Sequence, residues 1–231
     1  MPNPQESKIE DFAFDYLQGY YTSQQGAKNV LISRSEKNKQ GIEVEGMFTF
    51  KHPDNTIFLA TVTFKNSQKL TDLLTAYKKQ GLNKLRFLTP VLLLMLGVYA
   101  SVQFKGGIVG LAVTCVAAVA GFILHTYLLK YYLKRRVNNL LDVLKMHQSN
   151  EQWLGLSISS LVFRNNNLAS YFLKLCQRRG IGVITVGKRA KVVLMQEPRT
   201  NVSRKGDFLS HYVSEHSIRK AIQDNTILRV A

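Results

Sequence analysis

Two acids stand close together in GIEVEGMFTF, Glu43 and Glu45, and a lysine, Lys65, closes the stretch IFLATVTFK. Both stretches alternate apolar and polar residues, the period that sends successive side chains to opposite faces of a strand. Phe48 and Phe50 share a face with Ile42 and Val44, and Phe58, Ala60, Val62 and Phe64 share one face of the second stretch. These apolar faces fix how the strands pair, because a one-residue slip sends every apolar side chain to the wrong side. Pairing Phe50 with Phe58 and Phe48 with Ala60 gathers them and leaves His52 to Thr56, with its turn signal HPDN, as the loop. Counting on, Glu45 falls opposite Thr63 and Glu43 opposite Lys65. Two carboxylates, a hydroxyl and an ammonium then meet at one end of a hairpin. Opposed charges there make either a cross-strand ion pair, worth ~0.2–1 kcal/mol on a half-exposed sheet, or a site for chemistry on a charged group.

Flanking elements must hold that hairpin end in place. Ahead of it, Ile9, Phe12, Ala13, Tyr16, Leu17 and Tyr20 recur at helical spacing, and NVLISR (Asn29 to Arg34) reads as a strand. After Lys65, NSQKLTDLLTAYKKQG reads as a helix with Ser67 as N-cap, a stripe of Leu70, Leu73, Leu74 and Tyr77, and Gly81 at its end. Further on, LGLSISSLVF, beyond Trp153, is strand-like. NNNLASYFLKLCQRRG is a helix capped by Asn166 or Asn167 and stopped by Gly180. IGVITV and KVVLMQ are strands around the turn GKRA; EPRTNVSRKGDF is a linker and SEHSIRKAIQ a last helix, with Ser214 or Ser217 at its start. The class is α/β.

Between the two halves lie FLTPVLLLMLGVYASVQF (Phe87 to Phe104) and GIVGLAVTCVAAVAGFILHTYLL (Gly107 to Leu129), neither with an Asp, Glu, Lys or Arg. Each is close to the ~20 apolar residues that cross a bilayer as a helix. They predict a two-helix transmembrane hairpin, joined at Lys105 and Gly106, that interrupts a domain made of residues 1–86 and 130–200, with 201–231 as linker and terminal helix. Lys78, Lys79, Lys84 and Arg86 precede it and Lys130, Lys134, Arg135 and Arg136 follow, so the positive-inside rule places both termini in the cytoplasm of a cell with an inner membrane. Tyr127, Tyr131 and Tyr132 form an interfacial aromatic belt. The start, MPNPQESKIEDF, has no apolar core, so no signal peptide is expected. Gly106 and Gly110, then Ala117 and Gly121, allow close helix packing within the hairpin or between copies. His125, near the inner end, is a lone histidine facing the interface rather than a proton relay. Cys115 and Cys176 fall in separate parts and read as apolar fillers rather than a disulfide or zinc site.

The net charge is +16, concentrated after residue 130. A basic half beside a membrane is drawn to anionic lipid head groups or to nucleic acid. A receptor ectodomain is excluded, since the connector between the spans is two residues, and the absence of any acid or base within the spans argues against a transporter or channel.

The order helix, strand, strand pair, helix, strand, helix, strand pair resembles the PD-(D/E)XK, or restriction-endonuclease-like, fold. KNKQGIEVEGMF resembles the strand that supplies its first metal-binding acid, IFLATVTFKNS its (D/E)XK strand, and NNLASYFLKLCQRRGIGVITVGKRAKVVLMQEPR its later helix and strand. The resemblance implies a prokaryotic source and Mg²⁺ held by carboxylates, where it polarises a scissile phosphate and lowers the pKa of an attacking water. It assigns Glu43 or Glu45 as first acid, Thr63 to the second acid position, Lys65 as the lysine that steadies charge near the water, and Glu10 as an extra acid. Thr63 departs from the pattern, because a neutral hydroxyl is a poor ligand for a hard cation beside a carboxylate. The implied protein is a metal-dependent endonuclease or an inactive relative that binds nucleic acid. Lys174, Arg178, Arg179, Lys188, Arg189 and Lys191 would contact phosphates. The alternative is a non-enzymatic membrane scaffold for a protein partner or anionic lipid.

Overall fold

The computed structural model of the chain describes residues 4–52, 56–65, 67–82, 84–103, 107–142, 148–187, 190–203 and 206–224. Its helices are α1 (Pro4–Gln24), α2 (Ser67–Gln80), α3 (Leu88–Gln103), α4 (Gly107–Asp142), α5 (Asn167–Arg179) and α6 (Glu215–Gln223). Its strands are β1 (Leu31–Lys37), β2 (Glu43–Lys51), β3 (Ile57–Thr63), β4 (Glu151–Leu156), β5 (Ile181–Val186) and β6 (Val192–Gln196). The protein is mixed α/β, with the six strands side by side in chain order in one sheet flanked by helices. Residues 1–74 with 139–231 make one compact unit, and residues 75–138 make another.

In the sheet unit, β1, β2 and β3 form an antiparallel meander, β3, β4 and β5 run parallel, and β6 returns antiparallel. The pairings Phe50 with Phe58 and Phe48 with Ala60 are observed as the apolar faces require. The Phe50 and Phe58 rings stack 4.8 Å apart. With Val62, Trp153, Ile184 and Val186 they form one apolar face of the sheet, and α1 covers it with Ala13, Phe14, Leu17 and Tyr21. The buried face of α1 is therefore rotated from the sequence expectation. Phe12 is exposed, whereas Phe14 and Tyr21 are buried. The sheet selects the face that lets two large rings fill the space over Phe48.

Alternation breaks at the acid pair. Val44 joins Met47 and Leu59 in the cluster on the other side, with Leu31, Leu209, Tyr212, Ile218 and Ala221, rather than siding with Phe48 and Phe50. The reason lies in β1. Its ladder to β2 passes from Arg34 with Gly46 to Glu36 with Val44, and Ser35, between them, takes a left-handed φ of 54°. Ser35 stands opposite Glu45 in this register, so the change of face falls at that position of the ladder. Gly46 is also required for packing, since a Cβ there would overlap the Phe14 ring.

β4 starts at Glu151 and takes in Trp153, earlier than the sequence pattern suggests, because its parallel partner β3 pairs Ala60 with Glu151. Ser160–Val162 is a 3-10 turn, not strand. Ser67 is the first residue of α2 rather than its cap, and its N–H donates to the Phe64 carbonyl (2.8 Å). On α5 both ends form as expected. The buried Asn166 side chain accepts from the N–H groups of Leu168 and Ala169, and Gly180 closes the helix at φ 72°. Asn166 also donates to the Leu74 carbonyl (3.0 Å), tying α5 to α2. Asn166→Ala should cost about 2 kcal/mol, the upper end of cap losses, because a buried carbonyl also loses its donor. Denaturant unfolding followed by the fluorescence of Trp153, the chain's single tryptophan, measures it.

The C-terminal segment is part of the sheet unit. Tyr212 bridges to Asn38, the Val213 N–H donates to the Lys37 carbonyl, and α6 packs Ile218 and Ala221 into the second cluster. Ser214 stands at the α6 N-cap position without a side-chain cap bond. Lys39 and Arg219 both donate to Glu215, which holds that carboxyl below its ordinary value.

The second unit has the opposite character. α3 and α4 pack antiparallel through small residues: a Cβ at Gly97 would overlap Thr114, one at Gly121 would meet Leu93, and one at Gly110 would meet Ser101. Thr89 and His125 share a hydrogen bond (2.9 Å), so the histidine faces α3. Ala117 is exposed, and Gly106 lies outside the described residues, as do Phe104 and Lys105. α3 has no buried residue. Among the described residues, every exposed large apolar side chain except Phe12, Leu161, Val202 and Val213 lies between 87 and 132. Among the described residues one helix, α4, is long and apolar enough to cross a membrane. α3 has 16 residues, about 24 Å at 1.5 Å each, short of the ~30 Å hydrocarbon core. Phe87, taken from sequence as the start of the first span, belongs to a 3-10 turn, Lys84–Phe87.

Candidate functional site

The end of β3 is built around the Glu45 carboxylate. Its Oε2 accepts from Thr63 Oγ1 (2.8 Å), from the Lys65 N–H (2.8 Å) and from the Phe64 N–H. The Lys65 N–H also lies 3.2 Å from Thr63 Oγ1. Thr63 is buried and Glu45 half-buried, while Lys65 stands exposed in the turn. The sequence register brings Glu45 and Thr63 together as expected. Glu43 and Lys65 are not brought together. β3 ends at Thr63, Lys65 has left the ladder, and Glu43 pairs across β1 with Lys37. Glu43 is exposed, and Glu10 is half-buried on α1.

These residues do not fit the Mg²⁺ that the nuclease resemblance implies. Thr63 offers a hydroxyl that is already a donor to Glu45, and one oxygen of Glu45 is taken up by three donors. Among the described residues no group of three or more His, Cys, Asp or Glu side chains is placed to hold a metal ion. The arrangement is a clip in which a strand-borne carboxylate fixes the backbone turn that presents Lys65. Three donors converging on one carboxylate oxygen make a charge-assisted set, stronger than neutral hydrogen bonds.

Of the expected basic group, Lys174 and Arg178 are exposed one helical turn apart on α5, and Lys191 is exposed before β6. Arg179 is half-buried and pairs with Asp142 (2.9 Å), so it serves the fold. Lys188 and Arg189 lie outside the described residues. Cys176 is buried on the inner face of α5, and burial pushes its thiol up to about 12, which leaves it unreactive.

A second polar centre escaped the sequence reading. Glu151, 3 % exposed, accepts from Tyr21 Oη (2.7 Å), Thr200 Oγ1 (2.8 Å) and Gln25 Nε2 (3.4 Å). Trp153 Nε1 donates to Tyr21 Oη (2.6 Å), and Tyr20 stands edge-on to Trp153 at 5.2 Å. The only signal in the sequence was an acid beginning the apolar run EQWLGL, and its partners are far away in the chain.

Burial, with the Glu151 charge and hydrogen bond, holds the Tyr21 hydroxyl well above its ordinary 10. Burial, with Glu151 and Glu197, raises Tyr20 to about 12. A folded-state pKa above the unfolded one stabilises the fold below the unfolded value and loses that contribution as pH rises through the folded value. Stability should therefore be flat to about pH 10 and fall towards pH 12, and the part of the tyrosinate absorbance that Tyr21→Phe removes should appear with unfolding rather than before it. A Tyr21→Phe variant should show a shallower alkaline fall. An unchanged midpoint across this range in the parent protein would overturn the assignment.

The chain matches no protein-family model, no curated protein and no solved structure.

Proposed function

We propose that this is a membrane-anchored, restriction-endonuclease-like protein that holds nucleic acid at the cytoplasmic face of the inner membrane without cutting it. The observation that carries the reading is the clip at the end of β3. The acid that would serve a metal is spent on Thr63 and on two backbone N–H groups, and the lysine beside it remains exposed. Support for the fold resemblance comes from the element order and from a sheet whose strands follow the chain, with the hairpin β2–β3 ending at Thr63. Support for the anchor comes from α3 and α4, which turn their large apolar side chains outward and their small residues toward each other. That is the inverse of a soluble helix pair, and a patch of this extent is rare on soluble monomers. α4 spans, and α3 pairs with it as a shorter arm, a mismatch that local thinning of the bilayer accommodates. The basic residues on both flanks set the termini in the cytoplasm.

Support for nucleic acid as partner comes from Lys65, Lys174, Arg178 and Lys191, exposed in a chain of net charge +16. Fluorescence anisotropy with duplex DNA and with RNA, stepped in salt, tests the reading. Each lost phosphate contact lowers the slope of log K against log salt by about 1. The double variant Lys174→Gln, Arg178→Gln should therefore reduce it by about 2. Neither the parent protein nor the variant should cleave with Mg²⁺ or Mn²⁺. Cleavage by the parent protein would restore the active-nuclease reading. Binding without salt dependence, or none at all, would favour the membrane scaffold.

A further inference from the structure

We infer that the inner end of the α3–α4 hairpin binds the phosphate group of a phospholipid, with Arg86 as its ligand. The inference rests on the membrane reading above and adds a site to it. The Arg86 guanidinium lies over the ring of Phe87 at 4.8 Å and over that of Phe122 at 5.8 Å, and those two rings stack 5.5 Å apart. An aromatic contact uses the faces of the guanidinium and leaves the edge of its two terminal nitrogens to present the planar fork that matches phosphate.

Two polar atoms here are buried without a hydrogen-bond partner, Arg86 Nε and, one turn along α4 from Phe122, Thr126 Oγ1. Three other polar side chains of the hairpin are paired: Thr89 with His125, Thr114 with the Gly110 carbonyl, Ser101 with the Val98 carbonyl. The unsatisfied groups thus gather where Arg86 sits.

No internal anion can meet them from the same unit, since residues 75–138 contain no Asp or Glu. Depth decides the source. The next cation on α4, Lys130, lies two turns beyond Phe122, about 12 Å along the axis. The contact with Phe122 therefore sets the Arg86 guanidinium deeper than Lys130, the first cation of the flank that follows. Phe87 and Leu88, next to it in the chain, and Ile123 and Leu124, next to Phe122, are exposed apolar residues. An unpaired cation at that level is costly, and the anion within its reach is a lipid phosphate drawn down beside the shorter arm rather than a phosphate ion from water.

The test is lipid retention by the full-length protein in maltoside detergent, titrated with phosphatidylglycerol and read by native mass spectrometry. Charge-assisted hydrogen bonds lost with Arg86→Gln should weaken retention roughly tenfold or more. Arg86→Lys, which keeps the charge and loses the planar fork, should fall between. Thr126→Val should weaken it less, and Arg135→Gln, an exposed flank residue, should leave it unchanged. Inorganic phosphate at the same concentrations should neither bind nor compete. Equal retention by the parent protein and Arg86→Gln overturns the site, as does equal binding of inorganic phosphate. If Arg86→Gln fails to fold, Thr126→Val and Arg86→Lys carry the test, and parent-like retention by both overturns it. Extraction of the parent protein from native membranes by alkaline carbonate would overturn the anchor itself, a result separate from either.

Discussion

Trp153→Ala should destabilise the sheet unit by about 3–5 kcal/mol, the range for deleting a buried aromatic from a core. Trp153 is 1 % exposed and lies on β4 in the middle of the sheet. Its ring fills the space that Gly182 on β5 leaves open, where a Cβ would come within 2.6 Å of it. Its Nε1 donates to Tyr21, which in turn donates to Glu151. Truncation therefore leaves a cavity and one unmatched hydroxyl lone pair, but keeps the Tyr21–Glu151 bond. Against a typical total of ~5–15 kcal/mol, that loss is about a fifth or more. Circular dichroism must follow this variant, since it removes the only fluorescent indole. Tyr21→Phe makes the comparison: it keeps the packing but strips donors and acceptors from Trp153 and Glu151 together, for about 1–3 kcal/mol. A loss under about 1 kcal/mol for Trp153→Ala would show that the indole does not anchor α1 to the sheet.

Glu45→Ala should cost about 2–3 kcal/mol, because a buried hydroxyl and two backbone N–H groups lose one shared acceptor. Water can replace it at Lys65, which is exposed, but not at Thr63, which is buried. Glu45→Gln keeps an acceptor oxygen and loses the charge, so it should cost about half as much. Thr63→Val should cost about 1 kcal/mol alone. In a double-mutant cycle Glu45 and Thr63 should couple by at least 0.5 kcal/mol, the threshold for residues in contact. A metal site would behave differently: Glu45→Gln would leave apo stability unchanged and abolish stabilisation by Mg²⁺. Coupled loss of stability with no Mg²⁺ effect in the parent protein supports the clip; the reverse pattern overturns it.

What the sequence disclosed was whatever rests on neighbours in the chain or on a period. The β2–β3 register followed from Phe48, Phe50, Phe58 and Ala60 because a slip would have exposed them. The ends of α5 followed from Asn166 and Gly180 because capping is a local transaction between a side chain and the next few N–H groups. What stayed hidden depended on distant partners. The rotation of α1 toward Phe14 and Tyr21 is imposed by the sheet beneath it. Glu151 looks like any acid at a strand start until Tyr21 and Thr200 reach it from opposite ends of the chain. The candidate site was half legible: Glu45 and Thr63 meet as alternation dictates, but the change of face at Ser35 and the end of β3 at Thr63, which separate Glu43 from Lys65, carry no sequence signature. The short α3 was hidden too, since an apolar run gives the extent of a stretch but not where a 3-10 turn ends and the helix begins.

β3 and β4 are neighbours in the sheet, parallel and hydrogen-bonded, yet α2, α3 and α4 all lie between them in the chain. This sets an order of events during synthesis. α1 and the β1–β3 meander emerge first and can pair at once. The open edge of β3, a row of unsatisfied N–H and C=O groups that invites wrong partners, must wait until both apolar helices have been made and α4 has delivered β4. Pairing of β3 with β4 thus cannot precede synthesis of the apolar hairpin, and β5, β6 and the C-terminal segment add to the sheet only after β4 has been made. A chain whose hairpin stalls keeps half a sheet with a sticky border, the kind of unfinished surface that quality-control proteases and chaperones recognise.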